Sequence, residues 1–189
     1  MPEGNINLCG KLLIAMPGMN DPRFEKSVVY MCAHSDDGAM GLIINKQAPD
    51  VTFASLLQQL AIDGANAAPG TCIYFGGPVE VGRGFVLHSG EYDLPDTTLK
   101  VDEQFGMTAT KDVLTDIAGG AGPDKALLAL GYSGWGAGQL ESEIQQNGWL
   151  TCDATSEVVF DVPDDAKWAA ALKLLGVDAL MLSATAGRA

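Results

Sequence analysis

The chain has 189 residues, of which 47% are hydrophobic and 19% are charged, a composition that supports a globular core and excludes an extended disordered chain. Its formal net charge is −13, from 11 basic and 24 acidic residues. Nucleic-acid binding depends on basic residues that neutralise phosphates, so this balance argues against direct binding of DNA or RNA. Anionic membrane surfaces are disfavoured for the same reason.

The sequence shows no signal for export or membrane insertion. Its first residues lack a basic stretch followed by an apolar one, so no signal peptide is expected. It also has no run of about 18 apolar residues, so no membrane span is expected. The four cysteines, Cys9, Cys32, Cys72 and Cys152, form no CxxC pair. These features predict a cytoplasmic protein with reduced, mostly buried thiols and with no metal or other cofactor.

The first half of the chain predicts several strands and one helix. Apolar and β-branched runs favour strands, and the turn residues SDDG at 35–38 join two of them into a hairpin. Thr52 is a good N-cap, with apolar residues at helical spacing after it. The predicted strands are 11–16, 27–34, 39–45, 71–75 and 84–88, and the predicted helix is 52–62. Residues 91–102 are polar and are expected to be irregular, with a short strand at their end.

The second half predicts three helices and two strands. A helix opens at Thr110 or Lys111 and ends at the Gly119-Gly120 pair. The apolar run at 126–130 predicts a buried strand, followed by a glycine-rich loop at 131–138 and a short helix at 139–146. A strand is expected at 158–160, and a helix from Pro163 to Leu175. Because the first hairpin is antiparallel, we expect a mixed sheet with helices packed on it, not a fully parallel one.

The glycine-rich segment GYSGWGAG at 131–138 has two interpretations. Backbone N–H groups of such a loop can bind an anion at a helix N-terminus. However, the segment is not GxGxxG, no GK[ST] follows, and Glu141 and Glu143 would repel phosphate. A tight turn whose glycines allow close packing, with Trp135 filling a gap, fits better. An exposed Trp135 would instead suit a recognition surface.

A second glycine turn, Gly76-Gly77-Pro78, lies near the cation Arg83. It could hold a carboxylate-bearing ligand or the backbone of a partner. A strand-exit turn whose glycines supply positive φ, with Arg83 in solvent, explains the same residues and is favoured.

Two histidines and one serine are the candidates for catalysis. Cys32 and His34 lie two residues apart in a predicted strand and so share a face, and His88 ends another strand. Ser133 lies in GYSGW, which departs from the GxSxG motif of serine hydrolases at its last position. Too few further ligands exist for a zinc site. The sequence therefore identifies no catalytic residues, and a hydrolase using His34, His88 or Ser133 in a cleft is the alternative function.

Seven segments, in chain order, resemble the YqgE/AlgH family. They are GKLLIAMP (10–17), DPRFEKSVV (21–29), GAMGLIIN (38–45), FGGPV (75–79), RGFVLH (83–88), LGYSGWGAGQLE (130–141) and NGWL (147–150). The resemblance covers nearly the whole chain and implies one domain over residues 1–189. It implies a mixed α/β fold whose mainly antiparallel sheet curls toward a small barrel, with helices packed around it. Family members are described as candidate transcriptional regulators or as uncharacterised bacterial proteins.

The resemblance brings no catalytic residues with it, so its family-typical residues define only a candidate binding face. They are His34, Asn45, Gly76, Gly77, Pro78, Arg83, His88, Tyr132, Trp135, Gly136, Gln139 and Glu141. The expected function is a non-catalytic binding or regulatory module whose partner is another protein or a small molecule. Direct DNA binding is not expected, because no helix-turn-helix signature or basic helix is present. This hypothesis predicts that Tyr132, Trp135 and the glycine segments form an exposed patch or groove.

Overall fold

The computed structural model describes residues 7–17, 21–48, 51–62 and 73–177. Within these residues the chain forms nine strands, four α-helices and one π-helical turn. The strands are β1 (Lys11–Ala15), β2 (Val28–Ser35), β3 (Gly38–Ile43), β4 (Ile73–Phe75), β5 (Val79–Ser89), β6 (Thr98–Lys100), β7 (Phe105–Thr108), β8 (Ala126–Gly136) and β9 (Trp149–Asp153). The helices are α1 (Phe53–Gln59), α2 (Lys111–Ala118), α3 (Gln139–Gln145) and α4 (Asp164–Leu174), with the π-helical turn at Glu157–Asp161.

The strands join in one sheet of order β6-β7-β5-β8-β3-β2-β1-β9. Every pair along this path is antiparallel, while β4 pairs in parallel with the first part of β8. The predicted mixed, mainly antiparallel sheet is therefore confirmed. Its central strand is β8, which has β5 on one edge and β4 followed by β3 on the other.

The sheet curls into a half-barrel because its inward-facing residues meet in one cluster. Alternate residues of β1, β2, β3, β5, β7, β8 and β9 all contribute to this interior, among them Leu12, Tyr30, Leu42, Leu87 and Phe105. The rings of Tyr30 on β2 and Phe105 on β7 lie 5.0 Å apart although other strands separate β2 from β7 in the sheet, which a flat sheet would not allow. The interior of the curl is thus the main hydrophobic core.

Helices cover the outer face of the curl in two places. Leu140 of α3 packs on Leu13, Trp135 and Trp149. Helices α1 and α2 pack on β4, β5 and β8 through buried apolar residues such as Phe53 and Val113. No helix in the described part of the chain is both long enough and apolar enough to cross a membrane.

One end of the half-barrel, which we call the closed end, is covered by α4 and the π-helical turn. Trp168 donates its indole N–H to the carbonyl of Ala15 at 2.8 Å. Lys167 is 1% exposed, donates to the carbonyl of Ile44 at 2.7 Å and lies 3.0 Å from Asp164. Burial raises the pKa of Asp164, but hydrogen bonds from Gln47, Tyr74 and Lys167 outweigh it and leave this pKa lowered. A fully paired buried charge therefore fastens α4 across this end.

The predicted glycine-rich loop at 131–138 is wrong, because residues 131–136 are the second half of β8. Glycines in two segments, 76–77 and 131–136, allow the two segments to cross at close distance. A Cβ on Gly77 would lie 2.1 Å from the carbonyl carbon of Tyr132, and one on Gly76 would lie 2.3 Å from the carbonyl oxygen of Gly131. The link from β4 to β5 passes over β8 at this point, from one edge of the strand to the other. Only residues without a Cβ fit there.

Four further elements differ from the sequence predictions. Residues 158–160 lie in the π-helical turn and not in a strand; the amide of Val158 donates to the hydroxyl of Thr155, which starts a helical turn before it. Strands β7 and β9 were not predicted: β7 is stabilised by its pairing with β5, and β9 by its pairing with β1, a distant part of the sequence. Helix α1 ends at Gln59 and not at Ile62, because Ala61 has a φ of 56° that cannot continue a helix.

Most other elements follow the predictions. The hairpin of β2 and β3, the helix from Lys111 and the helix after Pro163 are confirmed. Strand β5 is longer than predicted, beginning at Val79 instead of Gly84. Thr71 and Cys72, the predicted start of β4, lie outside the described residues.

Candidate functional site

The open end of the half-barrel, opposite α4, carries a wide groove of about 850 Å³. It lies where β2 ends, β3 begins, β5 begins and β8 ends. This volume is in the range of ligand sites in proteins. Nothing in the described part of the chain fills this end as α4 fills the other.

The floor of this groove is apolar and continuous with the barrel core. It is formed by Cys32, Met40, Phe85, Leu99, Met107 and Tyr132. Cys32, Phe85 and Met107 are buried members of the core, while Met40 and Tyr132 pack against it. Two methionines in a floor of this kind can adapt to differently shaped apolar groups.

A histidine lines one wall of the groove and is bonded to a glutamate behind it. Nδ1 of His34 accepts a hydrogen bond from the backbone N–H of Leu8 at 3.1 Å, so the proton of the neutral ring lies on Nε2. Nε2 then donates to Glu141 of α3. This hydrogen bond is the main cause of the lowered pKa of Glu141. Both ring nitrogens of His34 are therefore occupied.

The rim of the groove carries charge. Between Val79 and Gly84 the register of β5 against β8 shifts, so that residues 80–83 bulge from the ladder. Arg83 on this bulge lies 3.5 Å from Glu80 and 5.1 Å from the ring of Phe85. Asp37, at the tip of the β2–β3 hairpin, is exposed on the other side of the groove. The lining thus holds two carboxylates and one guanidinium.

The structure brings only part of the predicted binding face together. His34, Arg83, Tyr132 and Trp135 line the groove, and Glu141 borders it through His34. Glu141 belongs to α3, at whose start Gln139 accepts a hydrogen bond from the amide of Gly136. These residues come from β2, β5, β8 and α3.

His88 and Asn45 do not belong to this site. His88 lies near the closed end, where Nδ1 donates to the Ser89 carbonyl and Nε2 accepts from the hydroxyl of Thr108. Its side chain is fully buried, and burial lowers its pKa. Asn45 joins the amide of Val28 and the carbonyl of Lys26 at the same end. Both are structural residues, and His34 and His88 are not neighbours.

Trp135 and Ser133 are both buried. Trp135 is a packing residue, as the favoured interpretation of its segment predicted, and is not the exposed residue that a recognition surface would require. It is 7% exposed and packs edge-on against Trp149 on the outer face. Both indole N–H groups point to the same oxygen of Glu143, at 3.4 Å. Ser133 is fully buried and donates to the Gly76 carbonyl at 3.1 Å. It is therefore no exposed nucleophile.

Gly76, Gly77 and Pro78 form the crossing over β8. The residues that the sequence analysis missed are the apolar floor and the carboxylates of the rim. Met40, Phe85, Leu99 and Met107 belong to predicted or short strands, where an apolar residue normally indicates core. The sequence offers no signal that one end of the interior stays uncovered.

Metal binding finds no support in the described residues, where no group of three or more His, Cys, Asp or Glu side chains is placed to hold an ion. Burial strongly raises the pKa of the Cys32 thiol, so this cysteine is not an activated thiolate.

The sequence is similar to those of one protein family over most of its length. The sequence pattern of the AlgH-like family (DUF179) matches residues 12–180. A UPF0301 protein of Ruegeria pomeroyi is 60% identical over 185 residues, covering 97% of this chain and 100% of the relative. A UPF0301 protein of Paracoccus denitrificans is 55% identical over 185 residues, covering 97% of both chains.

Two solved structures are also similar. The solution structure of the AlgH protein from Pseudomonas aeruginosa superposes with a TM-score of 0.76 at 42% identity, covering 97% of each chain. The crystal structure of protein DIP2367 from Corynebacterium diphtheriae has a TM-score of 0.70 at 19% identity. It covers 87% of this chain and 85% of the other, and shares the fold. The chain therefore belongs to the AlgH-like (UPF0301) family.

Proposed function

We propose that this protein is a non-catalytic binding module that holds a segment of a partner protein in the groove at the open end of its half-barrel. The observation that carries the proposal is the apolar floor. Cys32, Met40, Phe85, Met107 and Tyr132 continue the barrel core out to the solvent-facing groove. An apolar surface rimmed by polar residues is typical of a binding site.

The chemistry around the groove favours binding over catalysis. General base catalysis needs a free lone pair within reach of the substrate, but Nδ1 of His34 accepts from Leu8 and Nε2 donates to Glu141. Ser133 is buried, and the thiol of Cys32 is held protonated by burial. The alternative of a hydrolase that uses His34, His88 or Ser133 is therefore not favoured.

Regulation by such a module would proceed through protein contacts. The net charge of −13 disfavours contact with phosphates but favours encounter with basic surfaces. A family description as candidate transcriptional regulators is compatible with a protein that acts on another protein and not on DNA.

Site-specific photo-crosslinking tests the proposal. A photoreactive residue replaces Leu99, which is 44% exposed in the groove, or Leu174, which is 47% exposed at the end of α4. We expect a discrete protein adduct in lysate of the source organism from position 99 alone. The adduct should be lost when Tyr132→Ala alters the floor of a chain that still folds. Equal adducts from both positions would contradict the proposal, as would a substrate turnover that His34→Gln abolishes.

A further inference from the structure

The second half of β8 has one hydrogen-bonding edge that no other described strand occupies. Strand β3 pairs with residues 133–136 on one edge. On the opposite edge, pairing with β5 ends at the contact of Val79 with Tyr132. The residues before Val79 do not continue along this edge of β8, because they cross over the strand. In the described part of the chain, no strand lies beside residues 133–136 on this edge, next to the groove.

The backbone of Gly134 points to this open edge. The carbonyl of Trp135 faces β3, since a Cβ on Gly38 would lie 2.5 Å from its oxygen. Alternate residues of a strand direct their N–H and C=O groups to opposite edges, so Gly134 and Gly136 face away from β3. The amide of Gly136 already donates to the side chain of Gln139, so the open part of this edge is the backbone of Gly134. Gly134 and Gly136 are exposed and alternate with the buried residues Ser133 and Trp135, and Gly134 lines the groove.

Unpaired strand edges bind extended chains by main-chain hydrogen bonds. A strand laid beside β8 would direct every second side chain to one face, where the apolar floor of Met40, Phe85 and Tyr132 lies. Here the edge belongs to the central strand of the sheet, and a glycine at its middle leaves room for a close approach of another backbone.

The charged residues around the groove determine which side chains are favoured between the apolar residues of a bound segment. Asp37 and Glu80 stand on opposite sides of the groove, and Glu141 borders it, against the single guanidinium of Arg83. Arg83 is already paired with Glu80. The formal charge of −13 adds a long-range attraction for cations. Basic side chains at the alternate positions would complement this rim, whereas acidic ones would be repelled.

We infer that the groove binds an extended protein segment of alternating apolar and basic residues, which pairs as a strand with the free edge of β8 through the backbone of Gly134. This inference rests on the proposed function and names its partner class. It requires three properties of the segment together: an extended backbone with free amides, apolar residues at every second position, and Lys or Arg between them.

The test uses three blocked eight-residue peptides and the ¹⁵N-labelled full chain. The first alternates valine and lysine, the second has the same composition in two blocks of four, and the third is the alternating peptide with N-methylated amides at every second position. We expect saturable binding of the first peptide, with the largest amide shifts at residues 133–136. The other two should bind on the order of tenfold more weakly, because pattern or main-chain hydrogen bonds are lost.

Charge variants complete the test. Asp37→Asn and Glu80→Gln should each weaken the first peptide several-fold, whereas Asp165→Asn, exposed at the closed end, should not. Equal binding of the three peptides would overturn the inference, because it would indicate unspecific attraction to an acidic protein. Absence of binding, or binding that leaves the amides at 133–136 unchanged, would also overturn it. The crosslink from position 99 would stand in either case, so failure here is distinct from failure of the proposed function.

Discussion

The two ends of the half-barrel have the same kind of apolar interior, but only one of them is covered by a helix in the described part of the chain. At the closed end α4 lays Trp168, Ala171 and Leu172 on the core, and the buried Lys167 meets the carbonyl of Ile44. At the open end the inward-facing residues of β2, β5, β7 and β8 run out into a groove. The same strands therefore supply stability at one end and an accessible apolar surface at the other.

The difference shows how this fold can separate stability from binding. Residues at the closed end have their polar groups paired and their apolar groups covered, so substitutions there should act on folding. Residues at the open end are partly covered and can lose contacts at lower cost, so substitutions there should act on binding. Four predictions, each with its own substitutions, test how stability and binding are distributed over the molecule.

The largest effect is expected at the crossing between the two ends. Gly77→Ala would place a methyl group 2.1 Å from the carbonyl carbon of Tyr132, and a clash with backbone cannot be relieved by a rotamer change. We expect a loss of more than about 4 kcal/mol in the free energy of unfolding. Gly82→Ala is the matched control, since no atom lies within 4 Å of its added Cβ; it should change stability by less than about 0.5 kcal/mol. Chemical denaturation measures both, and a stable Gly77→Ala variant would disprove the crossing.

At the closed end, Lys167→Ala should be nearly as damaging. It leaves the Ile44 carbonyl and the Asp164 carboxylate without the ammonium that both contact. Removing one member of a buried pair costs about 3 kcal/mol. Lys173→Ala on the exposed side of the same helix should cost less than about 0.5 kcal/mol. If the two variants unfold at the same denaturant concentration, the buried pair does not fasten α4.

A pair of truncations compares the two ends directly. Leu172 is fully buried at the closed end, so Leu172→Ala should cost about 2–5 kcal/mol. Met40 lies half-buried in the groove floor, so Met40→Ala leaves no enclosed cavity and should cost less than about 1.5 kcal/mol. Binding of the alternating valine and lysine peptide should show the reverse order, with the larger loss for Met40→Ala. Equal stability losses would remove the distinction between the ends.

The smallest effect concerns pH. Burial lowers the pKa of His88 below its ordinary 6.5, so the unfolded chain takes up a proton before the folded one does. The contribution of His88 to the free energy of unfolding should therefore be complete above pH 6.5. It should decrease as the pH falls from 6.5 toward the pKa of His88 in the folded protein. In His88→Gln the unfolding free energy should depend less on pH across this range. Unfolding at a series of pH values measures the slope; an unchanged slope would exclude His88 as its source.

Local patterns predicted many of the elements but few of the site residues. The hairpin of β2 and β3 follows from two β-branched runs around SDDG, and α2 from Thr110 and the glycines that stop it. His34 and Glu141 were predicted as members of one face and do meet. His88 was predicted for the same face but is buried near the closed end, and Trp135 lines the groove but is buried against the outer face, because a family-typical residue can equally be a packing residue.

The sequence by itself determined the fold class, the family and the acidic character of the protein, since strand runs, turn residues and charge are local properties of the chain. The tertiary structure decided at which glycines two chain segments cross, with which strand β9 pairs and which end of the half-barrel stays open. Each of these depends on contacts between distant segments: Gly77 with Tyr132, β9 with β1, and Lys167 with Ile44. Whether an apolar strand residue is core or groove floor depends on what covers it, and the covering helix lies far away in the sequence.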